Sequence, residues 1–165
     1  MKVQLVANLA ANGELVLVKH ANSYEAPAEV SEMGMAIAIE SGNIIMGALT
    51  YQMFAPIMKD VFANLEVVVL SSKDAGDGVY SAKTAEEAVK YLESKGFEKA
   101  CVLGGTKTYN AFLEAGLADD LFFNLFPVVI GGGGTLETAS EKILNYKLAE
   151  SKTHGDITML HFAKA

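Results

Sequence analysis

The stretch CVLGGTKTYNAFLEAGLADD, residues 101–120, decides the fold of this chain. Ala100 to Leu103 reads as a short buried strand. It stops at Gly104-Gly105 and turns straight into a helix that starts at Thr106 and ends at Gly116, with Tyr109, Phe112 and Leu113 on one face. A glycine pair lets the backbone come close to a ligand, and a helix N-terminus presents free N–H groups to an anion. The junction therefore points to a nucleotide cofactor.

Two other strand ends share this character. Ile44-Ile45-Met46 is a short apolar strand followed by Gly47-Ala48-Leu49-Thr50, and Glu66 to Leu70 is a Val-rich strand followed by Ser71-Ser72-Lys73. The three ends are spaced by about 24 and then about 32 residues, the length of one strand–helix–strand unit each. Ligands of open α/β sheets bind outside the carboxyl ends of the strands. Ser-Ser-Lys in one loop, or Gly-Gly in one turn, is unremarkable alone; three such segments in order are a pattern.

The remaining elements fit the same architecture. Lys2 to Ala10 alternates as a strand, Asn12-Gly13 marks a turn, and Glu14 to Lys19 alternates again. Pro27 opens a helix carried by Val30, Met33 and Ile37 to about Glu40, and Ser41-Gly42-Asn43 breaks it. A short helix spans Thr50 to Met58, cut short by Pro56. Ser71 to Gly78 is a polar loop and Val79 to Ser81 a short strand. Thr84 and Glu87 form a capping box ahead of the stripe Ala85, Ala88, Val89 and Leu92, and Gly96 ends that helix. A long strand from Leu121 to Ile130 is interrupted by Pro127. Lys142 to Thr153 and Ile157 to Ala163 form a terminal hairpin. Alternating strands and helices predict a single α/β domain over residues 1–165, with a mostly parallel sheet and an antiparallel hairpin at one side.

Composition narrows the function. Hydrophobic residues make up 51% of the 165, enough for one core, yet no apolar run is long enough to span a bilayer. The N-terminus lacks the pattern of a signal peptide, and the lone Cys101 has no disulfide partner, which implies a reducing, cytoplasmic setting. The net charge is −7 and all 13 basic residues are Lys. Without Arg, and with an acidic surface, the chain is unsuited to nucleic acid. Any anionic ligand must be held by backbone amides, hydroxyls and Lys. His20, His154 and His161 lack metal-ligand spacing, so no metal site is expected. Cys101 in a buried strand reads as inert.

Met46-Gly47-Ala48-Leu49-Thr50-Tyr51, the run from Gly104 to Leu113, and Gly116-Leu117-Ala118-Asp119-Asp120-Leu121 followed by Pro127 and Gly131 to Gly134 are arranged in a familiar way. The chain resembles the dihydrofolate reductase-like superfamily, and within it the reductase domain of riboflavin biosynthesis, over nearly its whole length. The resemblance implies a three-layer dihydrofolate reductase-like fold and an NADPH-dependent reductase. The hydride acceptor would be a small heterocyclic or ribosylamino-pyrimidine substrate such as 5-amino-6-(5-phosphoribosylamino)uracil. It implies cofactor contacts from Ala7, Asn12, Gly13 and Leu15 at the nicotinamide, and from Gly47, Ala48, Leu49, Thr50, Leu70, Ser71, Ser72, Lys73, Gly104, Gly105, Thr106, Lys107 and Thr108 along the rest of the dinucleotide. It implies a cis Gly104–Gly105 peptide, substrate contacts from Asn8, Ser31, Glu32, Gly131 and Gly132, and a homodimer built around the Leu121–Ile130 strand.

Two positions depart from the pattern. Ala48 stands where the superfamily usually has Arg, which leaves Lys73, Lys107, Ser71 and Ser72 for a 2′-phosphate and keeps NADH open. Ser31 stands where dihydrofolate reductases place a carboxylate, with Glu32 beside it as the candidate catalytic carboxyl. A Glu near a helix start also simply complements the helix dipole. Tyr109 reads as core, with a place on the cofactor side of its helix as the alternative, and Met33, Met35, Met46, Met53 and Met58 read as filler, with an adaptable pocket as the alternative. The glycine run is either a flexible turn or a wall of the site. A nucleotide-binding scaffold without activity, and a folate reductase, remain the alternatives.

Overall fold

The computed structural model describes residues 1–17, 19–20, 26–76 and 78–165. One eight-stranded sheet runs through the molecule in the order β4-β3-β2-β5-β1-β6-β8-β7. The strands are β1 (Lys2–Ala10), β2 (Asn43–Gly47), β3 (Glu66–Leu70), β4 (Tyr80–Ala82), β5 (Lys99–Val102), β6 (Asp120–Phe126), β7 (Tyr146–His154) and β8 (Ile157–Lys164). The helices are α1 (Ala28–Ser31), α2 (Met33–Ser41), α3 (Ala48–Phe54), α4 (Met58–Val61), α5 (Ala85–Ser94) and α6 (Thr106–Glu114). The first six strands in that order are parallel, and β8 and β7 add antiparallel at one side. This is the α/β architecture that the alternation of elements predicts.

Strand alternation sends residues to two separate cores. Leu5, Ala7, Ile45, Val68 and Val102 pack under α5 and α6 against Ala88, Leu92, Phe112 and Leu113. Val6, Ile44, Met46, Val69 and Cys101 pack on the opposite face against Ile37, Ala38, Tyr51 and Phe62. Helices therefore cover both faces, which makes three layers. The α5 cap forms as its sequence predicts: Thr84 Oγ1 accepts from Glu87 N at 3.2 Å, while the Glu87 carboxylate reaches back to Lys83 N at 2.8 Å. Cys101 is fully buried, and burial pushes its thiol up to about 12, so it is a poor nucleophile.

Several expectations need correction. Glu14 to Lys19 is not a strand: a single antiparallel bridge joins Leu9 and Leu15, and Val18 lies outside the described residues. The helix expected from Pro27 to Glu40 divides at Glu32 into α1 and α2. The Thr50–Met58 helix begins two residues earlier, at Ala48, and ends at Phe54, after which Pro56 lies in a 3-10 turn leading to α4. The strand expected to reach Ile130 stops at Phe126, because Pro127 has no N–H to continue a ladder. It also lies inside the sheet, paired with β1 and β8, so it offers a dimer no free edge.

The final hairpin begins at Tyr146 rather than Lys142, because Lys142 is held elsewhere. Its Nζ donates to the Glu114 carbonyl at 2.6 Å and to Glu114 Oε1 at 3.1 Å. Hydrogen bonds from Ser140 and then Lys142 hold the Glu114 carboxyl down to about 2. A carboxyl depressed on folding stabilises above its ordinary range and loses that contribution as pH falls through its native value. Glu114→Gln is therefore expected to cost stability at neutral pH. The difference from the unsubstituted chain should vanish as pH drops from about 4.5 to about 2 in urea melts.

Candidate cofactor and substrate cleft

The order β3-β2-β5 brings the three strand-end motifs side by side at one rim of the sheet. Gly47 N donates to Gly104 O at 2.7 Å, which ties the first motif to the third. Gly47 is required here by close approach: a Cβ built on it would stand 2.6 Å from Thr108 Oγ1. The Gly104–Gly105 peptide is cis. Gly105 is the N-cap of α6 and supplies no side-chain cap. Among the described residues, no backbone acceptor takes the N–H groups of Thr106 and Lys107. They remain available to an anion, as the helix dipole favours.

A cavity of about 1370 Å³ opens along this rim. Gly47, Ala48, Leu49, Thr50, Leu70, Ser71, Ser72, Gly105, Thr106, Lys107 and Thr108 line it, and so do Ala7, Leu15, Asn8 and Ser31. Asn12, Gly13, Lys73, Gly104, Glu32, Gly131 and Gly132 are not among the lining residues. Glu32 stands exposed at the break between α1 and α2, which leaves the cavity without the expected carboxyl. Among the described residues no Asp or Glu lines the cavity, while Lys19 and Lys107 do. The chain carries −7 overall, yet among the described residues its cleft is lined by no negative side chain, an electrostatic setting suited to an anionic ligand.

Asn12 and Glu14 hold the loop after β6. Asn12 Nδ2 donates to Ile130 O at 2.8 Å, and Glu14 Oε2 accepts from Gly133 N at 2.9 Å and Gly134 N at 2.8 Å. Thr106 Oγ1 donates to Gly133 O at 2.8 Å. The glycine run is thus a clasp between the Asn12–Leu15 turn and the start of α6, not a loose turn.

Other residues complete the lining, Met35, Met46 and Met53 among them, as the adaptable-pocket alternative has it. Val30, Gly34 and Met35 come from α1 and α2; Met53, Phe54 and Phe62 come from the α3–α4 region. Asn124, Phe126, Val128 and Ile130 enter where Pro127 diverts the chain. His20 also lines the cavity, and its Nδ1 accepts from Leu17 N at 3.1 Å. Tyr109, read as core, is both: it is 6% exposed, lines the cavity, and donates its hydroxyl to Val6 O at 2.6 Å. Burial holds that hydroxyl protonated far above its ordinary range. One signal was available for Asn124, a lone amide inside the apolar run LFFNLF. Among the described residues no cluster of His, Cys, Asp and Glu is placed to hold a metal ion, and no helix is long and apolar enough to cross a membrane.

A three-layer sheet with a glycine-bounded cleft at its parallel strand ends is the dihydrofolate reductase-like fold. Residues 40–160 match the model of the RibD C-terminal domain, and the chain belongs to that family. A provisionally assigned riboflavin biosynthesis protein from Shewanella sp. PV-4 superposes with a TM-score of 0.81 at 21% identity, covering 100% of this chain and 99% of that one. A pyrimidine reductase-like protein from Corynebacterium diphtheriae gives 0.75 at 13% identity, covering 99% and 92%. RibD of Acinetobacter baumannii gives 0.73 at 14% identity, with this chain covering 58% of its length. A search of curated protein sequences finds no match.

Proposed function

We propose that this chain is an NADPH-dependent reductase that delivers hydride to a small ribosylamino-pyrimidine or related heterocycle. The supporting observation is the cleft at the rim of the sheet, which among the described residues is lined by no carboxylate and leaves the first N–H groups of α6 without a protein acceptor, and where Gly47 leaves room beside Thr108. These residues suit a dinucleotide: Gly105 to Thr108 for the pyrophosphate, and Leu70 to Ser72 for the adenosine end. When bound, the cofactor supplies the hydride.

The protein's part is placement and water exclusion. Ala7 and Leu15 form an apolar wall near the centre of the cleft, while Val30, Met35 and Phe126 wall the side beneath α1 and α2. Tyr109 braces β1 from below through its bond to Val6 O and keeps its proton. With Glu32 outside, no side-chain carboxyl among the described lining residues is placed to deliver the second hydrogen, which leaves solvent as its source. The same lack of a carboxylate, with Ser31 at the pocket, argues against folate reduction. It also favours the inactive nucleotide-binding scaffold, as does Ala48 where the superfamily usually has Arg. A homodimer in a reducing cytoplasm completes the proposal; β6 being interior, its subunits would meet through faces or loops, which light scattering on the purified chain checks.

Calorimetric titration with NADPH and NADH tests the reading. NADPH should bind, and Lys107→Ala should weaken it by about tenfold, the scale of one charge-assisted contact. That loss should shrink as salt is added. Failure of both nucleotides to bind ends the reductase assignment, and binding without turnover favours the inactive scaffold.

A further inference from the structure

Two asparagines face each other on neighbouring strands beneath the cleft. Asn8 of β1 and Asn124 of β6 are register partners. Asn124 is 1% exposed, and its Nδ2 donates to Asn8 Oδ1 at 2.8 Å and to the Val30 carbonyl at 3.4 Å. An amide carries its acceptor and its donor on one carbon, so a bond to one end fixes where the other points. The Val30 carbonyl can only accept, which makes nitrogen the end that Asn124 turns toward α1 and Asn8. Asn8 then has its oxygen engaged and its nitrogen free. Among the described residues no protein group accepts from the Asn8 amide, and Asn8 lines the cleft together with Val30 and Ser31. The remaining end of the pair, Asn124 Oδ1, is buried without a donor. An unpaired buried acceptor is unfavourable. The arrangement thus does not serve Asn124's own hydrogen bonding; it serves the orientation of its partner.

We propose that Asn8 selects the hydride acceptor by donating its amide N–H to a ring carbonyl oxygen, and that Asn124 is the positioning residue that holds this donor toward the cleft. The proposal rests on the reading of the cleft as a reductase site and sharpens it. A ring edge that meets Asn8 must carry an oxo group. An amino group there finds a donor facing a donor and, among the described lining residues, no carboxylate to receive it.

The test compares two probes on the full chain by calorimetry, with and without NADPH: 5,6-diaminouracil, and 2,4,5,6-tetraaminopyrimidine, in which amino groups replace both oxo groups. The unsubstituted chain should prefer the uracil by about tenfold, the scale of one neutral hydrogen bond. Asn8→Asp, which can only accept, should reverse the order. Asn124→Asp replaces that donor with an acceptor, which draws the Asn8 NH₂ toward residue 124, turns the Asn8 oxygen to the cleft, and should reverse the order as well. A measurement without any variant covers misfolding: the Asn8 side-chain NH₂ signal in a ¹⁵N-labelled sample should move when 5,6-diaminouracil is added. Equal affinity for the two probes, no binding of either, an unmoved Asn8 signal, or an unreversed order in a folded Asn8→Asp variant each overturns the assignment. A chain that discriminates the probes yet binds neither NADPH nor NADH keeps the Asn8 role and loses the reductase reading, so the two failures are distinguishable.

Discussion

Asn43→Ala is expected to destabilise the protein by about 3 to 5 kcal/mol, because it strands several buried polar groups at once. Asn43 is fully buried at the start of β2. Its Nδ2 donates to Ser41 O at 2.8 Å and to Lys99 O at 2.7 Å, and its Oδ1 accepts from Cys101 N at 3.2 Å. The ladder between β2 and β5 registers only Ile45 with Val102. The Asn43 side chain therefore supplies the cross-strand bonds that the backbones do not make there. These strands carry two of the three motifs at the cleft, so their seam sets the spacing of the site. Asn43→Asp should fare no better, since it loses both donated bonds and buries a charge. Urea melts measure the loss, and faster amide exchange at Cys101 would localise it. A variant with unchanged stability would show that water replaces the side chain at no cost.

Gly133→Ala is the second large effect. A Cβ at Gly133 would stand 1.9 Å from the Leu15 carbonyl oxygen and 2.8 Å from its carbon. Both are backbone atoms and cannot rotate away, so the clasp must open or the Asn12–Leu15 turn must move. A cost of about 3 kcal/mol sits at the upper end for overpacking, and it lowers the melting temperature of a chain this size by roughly 6 to 12 °C. Gly131→Ala is the matched control: nothing lies within 4 Å of its Cβ position, and the change should be nearly silent. Because the clasp also holds Thr106, Gly133→Ala should weaken NADPH while Gly131→Ala leaves it unchanged. Equal melting temperatures for the two variants would refute the clasp.

Much of the site is legible residue by residue. Gly47, Thr50, Ser71 and Gly105 follow apolar strands, and a parallel sheet brings such ends to one rim whatever the details of packing. The Glu87 cap and the stop at Gly96 are local events within a few residues of chain, so they too are readable. Glu32 fails for the opposite reason. Whether a carboxyl on a helix faces cleft or solvent depends on the turn at which α1 gives way to α2, and spacing alone does not set that rotation. The roles of Asn12 and Glu14 in holding the glycine loop are not legible because their partners, Ile130 and Gly133, lie more than a hundred residues away along the chain. Local pattern carries no information about a contact of that range.

The sequence by itself determined the class of fold, the family, and the three segments that meet at the sheet's rim, because hydrophobic period, glycine placement and caps act over neighbouring residues. Only the tertiary structure decided which polar groups face the cleft and which are spent on the protein. Hydrogen-bond partners such as Asn8 and Asn124, or Glu14 and Gly133, are chosen by distance in space, and folding alone brings those distances about.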